Sequence, residues 1–215
     1  NGLLDRFLYL LKISTVIAMV FLGHCRVPTA DGSLKQTSSL IKGDYILCHP
    51  TPPGGTPVIA EVSHILLEFD GGYMVRVTGT DLECSRRHPI KDPTTGKWIA
   101  ADRIRPIPSS LRLVDTPVYS VLLAREAPLY TLIVEGVVVA ALGCNLREGL
   151  SHTGEVSHPF YGTYWDVEEK MKEAHPVGFK RGRVVVTGIR RSGDDDGRTE
   201  SFTRDESLIP DWAKD

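Results

Sequence analysis

A mainly β domain followed by a small α/β extension is the architecture this sequence predicts. Three observations carry the prediction. β-Branched residues and glycine dominate the middle of the chain, in apolar runs of strand length. Glycine-containing turns at Gly54-Gly55, Asp70-Gly71-Gly72 and Glu135-Gly136 interrupt those runs. After about residue 145 the pattern changes, and Val167 to Ala174 (VEEKMKEA) carries helix formers with charges three and four apart.

Taken in order, Leu3 to Lys12 has the composition of a short helix, and Thr15 to Leu22 that of a buried strand. Residues 1–15 are expected to be an upstream helix or linker. Ile13 to Leu22 is the one membrane-like stretch. It has ten residues, whereas a helix needs about 20 to cross roughly 30 Å of hydrocarbon. The membrane signal is therefore weak. A signal peptide is a second reading of this stretch, but no small-x-small cleavage site separates it from the residues downstream. Because the chain starts at Asn1 and not Met, it is expected to be a piece of a longer protein.

Further strand candidates are Tyr45–Leu47, Val58–Phe69, Tyr73–Thr78, Ile104–Pro106, Val118–Leu123, Leu129–Val134 and Val137–Leu142. The pairs around Gly71-Gly72 and around Gly136 read as hairpins. Strands this short and frequent argue for an all-β core to about residue 145. In the extension, Asp166 is placed to cap the helix, with Glu169 three residues on. His175-Pro176 and Gly178 are expected to end it. Val184–Ile189 is the last strand candidate, and the main domain is expected to span residues 16–191. Residues 192–215, opening with Asp194-Asp195-Asp196, read as a polar loop or mobile tail.

The chain has 215 residues and a net charge of −2. That length suits one large domain or a domain with an extension. The charge supplies no global basic field, so nucleic acid is not an expected partner. Cys25, Cys48, Cys84 and Cys144 are scattered without a C-x-x-C pair, which disfavours zinc-ribbon and thioredoxin readings. The doublets His24-Cys25 and Cys48-His49 are poor metal sites, because adjacent residues on a strand point to opposite faces.

Three groups of residues bear on chemistry. Phe21, Gly23, Val27, Asp31, Gly32, Leu40, Gly43 and Asp44 form a spaced opening frame. Within it Ala30-Asp31-Gly32-Ser33 is a turn, and Leu40-Ile41-Lys42-Gly43-Asp44-Tyr45-Ile46-Leu47 puts a second turn before a strand. The second group is Ser85-Arg86-Arg87-His88-Pro89-Ile90, followed by Gly96-Lys97-Trp98 and Ala101-Asp102-Arg103-Ile104. Alone, an S-x-x-H is ordinarily a surface turn; its flanks make it more specific. The third is Val118-Tyr119-Ser120 with the run Tyr130 to Val139, leading into Leu142-Gly143-Cys144-Asn145.

Together these resemble the Hint domain, the self-cleaving module of hedgehog proteins and inteins. The resemblance implies a horseshoe β fold with pseudo-twofold hairpins. It also implies that the first residue of the frame is a cysteine whose thiol attacks the preceding peptide bond. Counted without gaps, that position is Val20. The S-x-x-H block resembles the family's T-x-x-H block, whose threonine and histidine bind the scissile peptide. Ser85 keeps the hydroxyl, and His88 is in place to help the amide nitrogen leave as general acid. Cys144 falls where inteins have a penultimate histidine. Asn145 falls where the cyclising asparagine would be, although an ordinary polar turn is the preferred reading and the chain continues beyond it.

Leu142 to Gly149, Ser157-His158-Pro159-Phe160-Tyr161-Gly162-Thr163 and Gly178 to Val186 look like the Vint variant, which accompanies von Willebrand factor A domains. The likeness covers about residues 20 to 190. Cys144 and Asn145 depart from it, where the variant usually has histidine and often glycine. His158 could face the cleft or be a satisfied structural histidine.

Nucleophilic catalysis needs a thiol or hydroxyl at one place, and Val20 offers neither. Cys25 is an alternative nucleophile only if the frame is shortened by five residues. Cys144 is another, if the closing hairpin brings it beside His88. The expected function is an autoprocessing module acting on its own upstream polypeptide through a thioester, degenerate at the nucleophile, with no metal or organic cofactor and a von Willebrand A-type neighbour. The competing class is a non-catalytic interaction module in a larger protein. A membrane-anchored or secreted fragment using Ile13–Leu22 is a third.

Overall fold

The structure, a computed structural model, describes residues 20–50, 55–69, 72–86, 88–104, 111–114, 116–144, 164–191 and 199–214. The helix expected over Leu3–Lys12, the strand expected from Thr15 as far as Met19, and the Asp194–Asp196 run lie outside the described residues.

The fold is mainly β, as the sequence predicts. In chain order the strands are β1 (Phe21–Leu22), β2 (Arg26–Pro28), β3 (Leu34–Gln36), β4 (Tyr45–His49), β5 (Val58–Glu68), β6 (Gly72–Arg76), β7 (Glu83–Ser85), β8 (Pro89–Lys91), β9 (Trp98–Ala100), β10 (Leu111–Val114), β11 (Val118–Leu123), β12 (Thr131–Val134) and β13 (Val137–Ala140). The extension adds α1 (Tyr164–Ala174), α2 (Pro176–Arg181), β14 (Arg183–Val186), β15 (Gly188–Arg191) and β16 (Thr199–Thr203). The largest sheet runs β10-β6-β7-β1-β11-β5-β14, with β4 also paired to β5. A second sheet runs β12-β13-β8-β9, and β2-β3 and β15-β16 are two-stranded.

β5 organises the molecule. One edge pairs with β11 from Val62 to Glu68. The other edge is shared end to end: β4 takes Val58 to Glu61 antiparallel, and β14 takes Ile65 to Glu68 in parallel. Burial follows this division. The first half of β5 alternates, with Ala60 and Val62 buried and Glu61 and Ser63 partly exposed, as for a strand with one wet face. From His64 to Glu68 every residue is buried, because the extension covers the second face.

The pleat separates two cores. Ile65 and Leu67 of β5, Val121 and Leu123 of β11 and Val185 of β14 point into the main core with Phe21 and Val20. Their neighbours Leu66, Leu122, Val184 and Val186 point the other way, onto Tyr164, Val167 and Met171 of α1. Those three helix residues are spaced three and four apart and so share one face. Each fully buried valine of β14 contributes roughly 1.5–3 kcal/mol.

Several expectations are corrected. β5 and β6 do not form a hairpin at Gly71-Gly72; β7, β1 and β11 lie between them. Turn composition favours a local reversal, but the pairing is decided by non-local burial. Ile104 is not in a strand: Ala101–Arg103 is a short 3-10 turn, the strand beside it is β9, and residues 105–106 lie outside the described residues. α1 starts at Tyr164, which puts Asp166 inside its first turn, not at the cap. There its charge still suits the helix dipole. His175-Pro176 ends α1 but also begins α2, with proline at the first helical position. Gly178 lies inside α2, and Gly182 at φ 83° ends it. Val184–Ile189 is two strands, divided at Thr187. In the segment read as a polar tail, Thr199–Thr203 pairs with β15, and Phe202 and Ile209 are buried.

The hairpin at Gly136 is present, with Glu135 and Gly136 both at positive φ, the geometry of a two-residue turn between twisted strands. A glutamate is an unusual choice at φ 47°. Its carboxylate explains it: Oε1 accepts from the Arg26 backbone N–H at 2.7 Å and from Nε at 3.0 Å, and Oε2 accepts from Nη2 at 2.8 Å. These bonds, the side-chain one first, hold the Glu135 carboxyl below its ordinary value. Its contribution is thus present in full above the ordinary glutamate range and lost as pH falls through the lowered native value. Glu135→Gln is expected to cost about 1 kcal/mol at pH 7 and to flatten this part of the acid limb in urea melts recorded between pH 3 and pH 7.

Candidate functional site

β1 is only two residues long, yet it lies between two strands. Phe21 pairs with Tyr119 of β11 on one side and with Cys84 of β7 on the other. Val20, just before it, is 2% exposed, and its carbonyl accepts from the Ser85 N–H at 3.0 Å. The position expected to carry the nucleophile is therefore tied directly to the first residue of the S-x-x-H block.

That block is a tight turn, closed by the His88 N–H donating to the Ser85 carbonyl at 2.8 Å. It returns the imidazole beneath the first strand, where the His88 and Phe21 rings lie 4.5 Å apart at 46°. Nε2 is 3.1 Å from the carbonyl oxygen of Ala140, at the end of β13. A carbonyl only accepts, so Nε2 carries the hydrogen and the neutral ring has its lone pair on Nδ1. Ser85 is 5% exposed and His88 fully buried, which gives the site a low dielectric. The structure therefore brings Val20, Ser85 and His88 together, through elements drawn from three parts of the chain.

Sequence reasoning missed two partners. The Ala140 carbonyl is a main-chain group at the end of the closing hairpin and leaves no side-chain signature. Asp102 grips Arg86, inside the turn, with its side chain and its backbone. The signal for Asp102 was its place in the flanking A-x-R-I segment.

The other candidates sit elsewhere. Cys25 closes a turn with Leu22, its N–H donating to that carbonyl at 3.0 Å. Its sulfur lies 3.5 Å from both the carbonyl oxygen and the N–H of Glu83, facing that residue and not the Ser85–His88 turn. Burial pushes its thiol up to about 11. Cys144, the alternative that depended on the closing hairpin bringing it beside His88, packs on the α1 side with Leu142 and Tyr164. There it lines a cavity of about 700 Å³ with Trp98, Tyr130 and Trp165, and burial pushes its thiol up to about 12. Burial likewise raises Cys48 to about 11 and pushes the Cys84 thiol well above its ordinary range. Asn145 and His158 lie outside the described residues.

All four thiols are free and buried. Folded chain at pH 8 is expected to react with iodoacetamide at these cysteines at least about a hundredfold more slowly than urea-unfolded chain, followed by intact mass. Rapid alkylation of Cys25 in the folded state would revive it as a nucleophile. Among the described residues, no group of three or more His, Cys, Asp or Glu side chains is placed to hold a metal ion. Nor, among them, is any helix long and apolar enough to cross a membrane.

The sequence profile of the Vint family, described as a Hint-domain, matches residues 19–196. The chain belongs to the Vint family of Hint domains. The match opens one residue before Val20 and runs into the extension, so both helices, β14 and β15 fall within the Vint domain, and β16 lies beyond the matched residues. As a Hint domain it is of the protein autoprocessing type.

Solved structures with which the chain aligns include a bacterial intein-like domain from Clostridium thermocellum, at 17% identity and a TM-score of 0.46 over 58% of this chain and 99% of that one. A DnaB intein from Synechocystis sp. PCC 6803 aligns at 15% identity and a TM-score of 0.43, over 58% and 99%. A DnaX mini intein from Spirulina platensis aligns at 14% identity and a TM-score of 0.39, over 56% and 98%. No curated protein matches the chain.

Proposed function

We propose that this Vint domain keeps the scaffold and the histidine of a self-cleaving module and lacks the atom that starts the cut. One observation carries the reading: Val20 is buried in the position that the nucleophile would hold, with its carbonyl on the Ser85 N–H and with its neighbour Phe21 against the ring of His88. The side chain belongs to the main core, so its hydrophobic burial stabilises the fold while the chemistry is absent.

The reaction that this site would support with a thiol is intramolecular. The thiolate attacks the carbonyl carbon of the preceding residue, a C–S bond forms, the C–N bond breaks, and the released nitrogen takes a proton. The product is a thioester between the upstream polypeptide and the side chain of residue 20. Nδ1 of His88 would take the proton that leaves the thiol and pass it to the departing nitrogen, and the Ser85 hydroxyl would help to hold the scissile peptide. No step calls for a metal or an organic cofactor. The substrate is the domain's own upstream polypeptide, and a von Willebrand A-type domain is the proposed neighbour.

The test fuses a reporter domain upstream and follows fragment size on a denaturing gel, with and without hydroxylamine or dithiothreitol. The Val20 chain is expected to stay whole, and the Val20→Cys chain to release the reporter when a nucleophile is added. Release from the Val20 chain that disappears in Cys25→Ala would overturn the reading. If neither chain releases the reporter, the domain is a non-catalytic interaction module.

A further inference from the structure

The turn that presents His88 is short, and short turns bearing a working side chain need an outside hold. Besides the bond from Ser85 to Val20, such a hold comes from the turn after β9. The 3-10 turn Ala101–Arg103 follows β9, which pairs with β8 immediately after the S-x-x-H block. That pairing sets the two turns side by side. The Ala101 N–H donates to the His88 carbonyl at 2.9 Å, and the Asp102 N–H donates to the Arg86 carbonyl at 2.7 Å. The Asp102 carboxylate then accepts from Arg86 Nε at 2.9 Å. With the His88 N–H on the Ser85 carbonyl, both backbone polar groups of His88 are fixed.

The geometry points to Asp102 as a positioning residue for His88: by holding Arg86 through main chain and side chain, it sets where the imidazole lies beneath β1. This rests on the autoprocessing reading only in so far as the position of His88 matters for cleavage. The ion pair is half in solvent, with Arg86 at 50% and Asp102 at 21% side-chain exposure, so its loss should move stability little. Its loss should matter far more to a reaction, because a displacement of about 1 Å can cost roughly a hundredfold in rate. A residue that merely stabilised the fold would show the opposite ratio.

Two measurements test this, one of which needs no cleavage. In the Val20 chain, long-range proton–nitrogen spectra of the His88 ring report its tautomer and environment. We expect the native ring to show a protonated Nε2. In Asp102→Ala and Asp102→Asn we expect its signals to shift or broaden, while the melting temperature falls by less than about 4 °C. In the Val20→Cys fusion, the same substitutions are expected to slow hydroxylamine-dependent release about tenfold or more. Unchanged ring signals, or release within twofold of the parent, would overturn the assignment. A Val20→Cys chain that releases nothing would instead sink the autoprocessing reading and leave the ring spectra to decide Asp102.

Discussion

In a chain carrying Val20→Cys, His88→Gln is expected to slow release of an upstream reporter by about 10²- to 10⁴-fold, the range that general acid–base groups typically contribute. His88 is fully buried, its ring lies against Phe21, and its Nε2 hydrogen is committed to the Ala140 carbonyl. Glutamine is the informative replacement because its amide can still donate to Ala140, whereas alanine would leave that carbonyl without its donor at a cost of about 1–3 kcal/mol. A loss of release without a matching loss of melting temperature therefore reports on chemistry. The check is a time course of reporter release at fixed pH alongside thermal melts of the same proteins. Release unaffected by His88→Gln would remove the imidazole from the reaction. Val20→Cys itself should be tolerated, since it removes about one methyl group from a packed position, at about 1 kcal/mol.

The second large effect is structural. Gly178→Ala in α2 would gain about 1 kcal/mol if helix propensity alone decided. The expected sign is the reverse, a loss of about 3 kcal/mol, measured as a drop in the urea midpoint. A Cβ at this position would lie 2.3 Å from the Arg183 carbonyl oxygen and 2.4 Å from Cε1 and Nδ1 of His175. The carbonyl is main chain and cannot swing away. His175 cannot move freely either, because its Nδ1 accepts from the Val185 N–H at 3.0 Å and lies 3.1 Å from Arg204 Nη1. Glycine is what lets α2 lie directly on β14. An unchanged or raised midpoint would show that helix and strand can separate without cost.

Much of this was legible beforehand, for identifiable reasons. β11 was read to the residue, because six consecutive apolar or small residues between polar turns leave few choices. The Gly136 hairpin was legible because two-residue turns have a narrow chemistry. The site was legible in part: Val20, Ser85 and His88 were named from the resemblance of the opening frame and the S-x-x-H block to Hint domains, and the structure brings all three together. What stayed hidden was non-local or main-chain. Nothing local announces that the two flanks of Gly71-Gly72 separate to opposite parts of a sheet, because composition marks the bend but not the partner. The carbonyl that orients His88 belongs to an alanine with no distinguishing side chain. The polar tail misled because β16 buries little beyond Phe202, so its composition resembles that of a loop.

The divided edge of β5 has a consequence for how the chain must be made. The parallel partner of Ile65 to Glu68 is Arg183 to Val186, which leaves the ribosome long after β5 and β11. Until then that half of the edge is an unpaired row of donors and acceptors along a largely apolar stretch, open to another copy of the nascent chain. Closing it requires a long-range contact, the slow kind. Shortened versions that stop near residue 145, however complete their reactive centre, should therefore fail first through aggregation during synthesis.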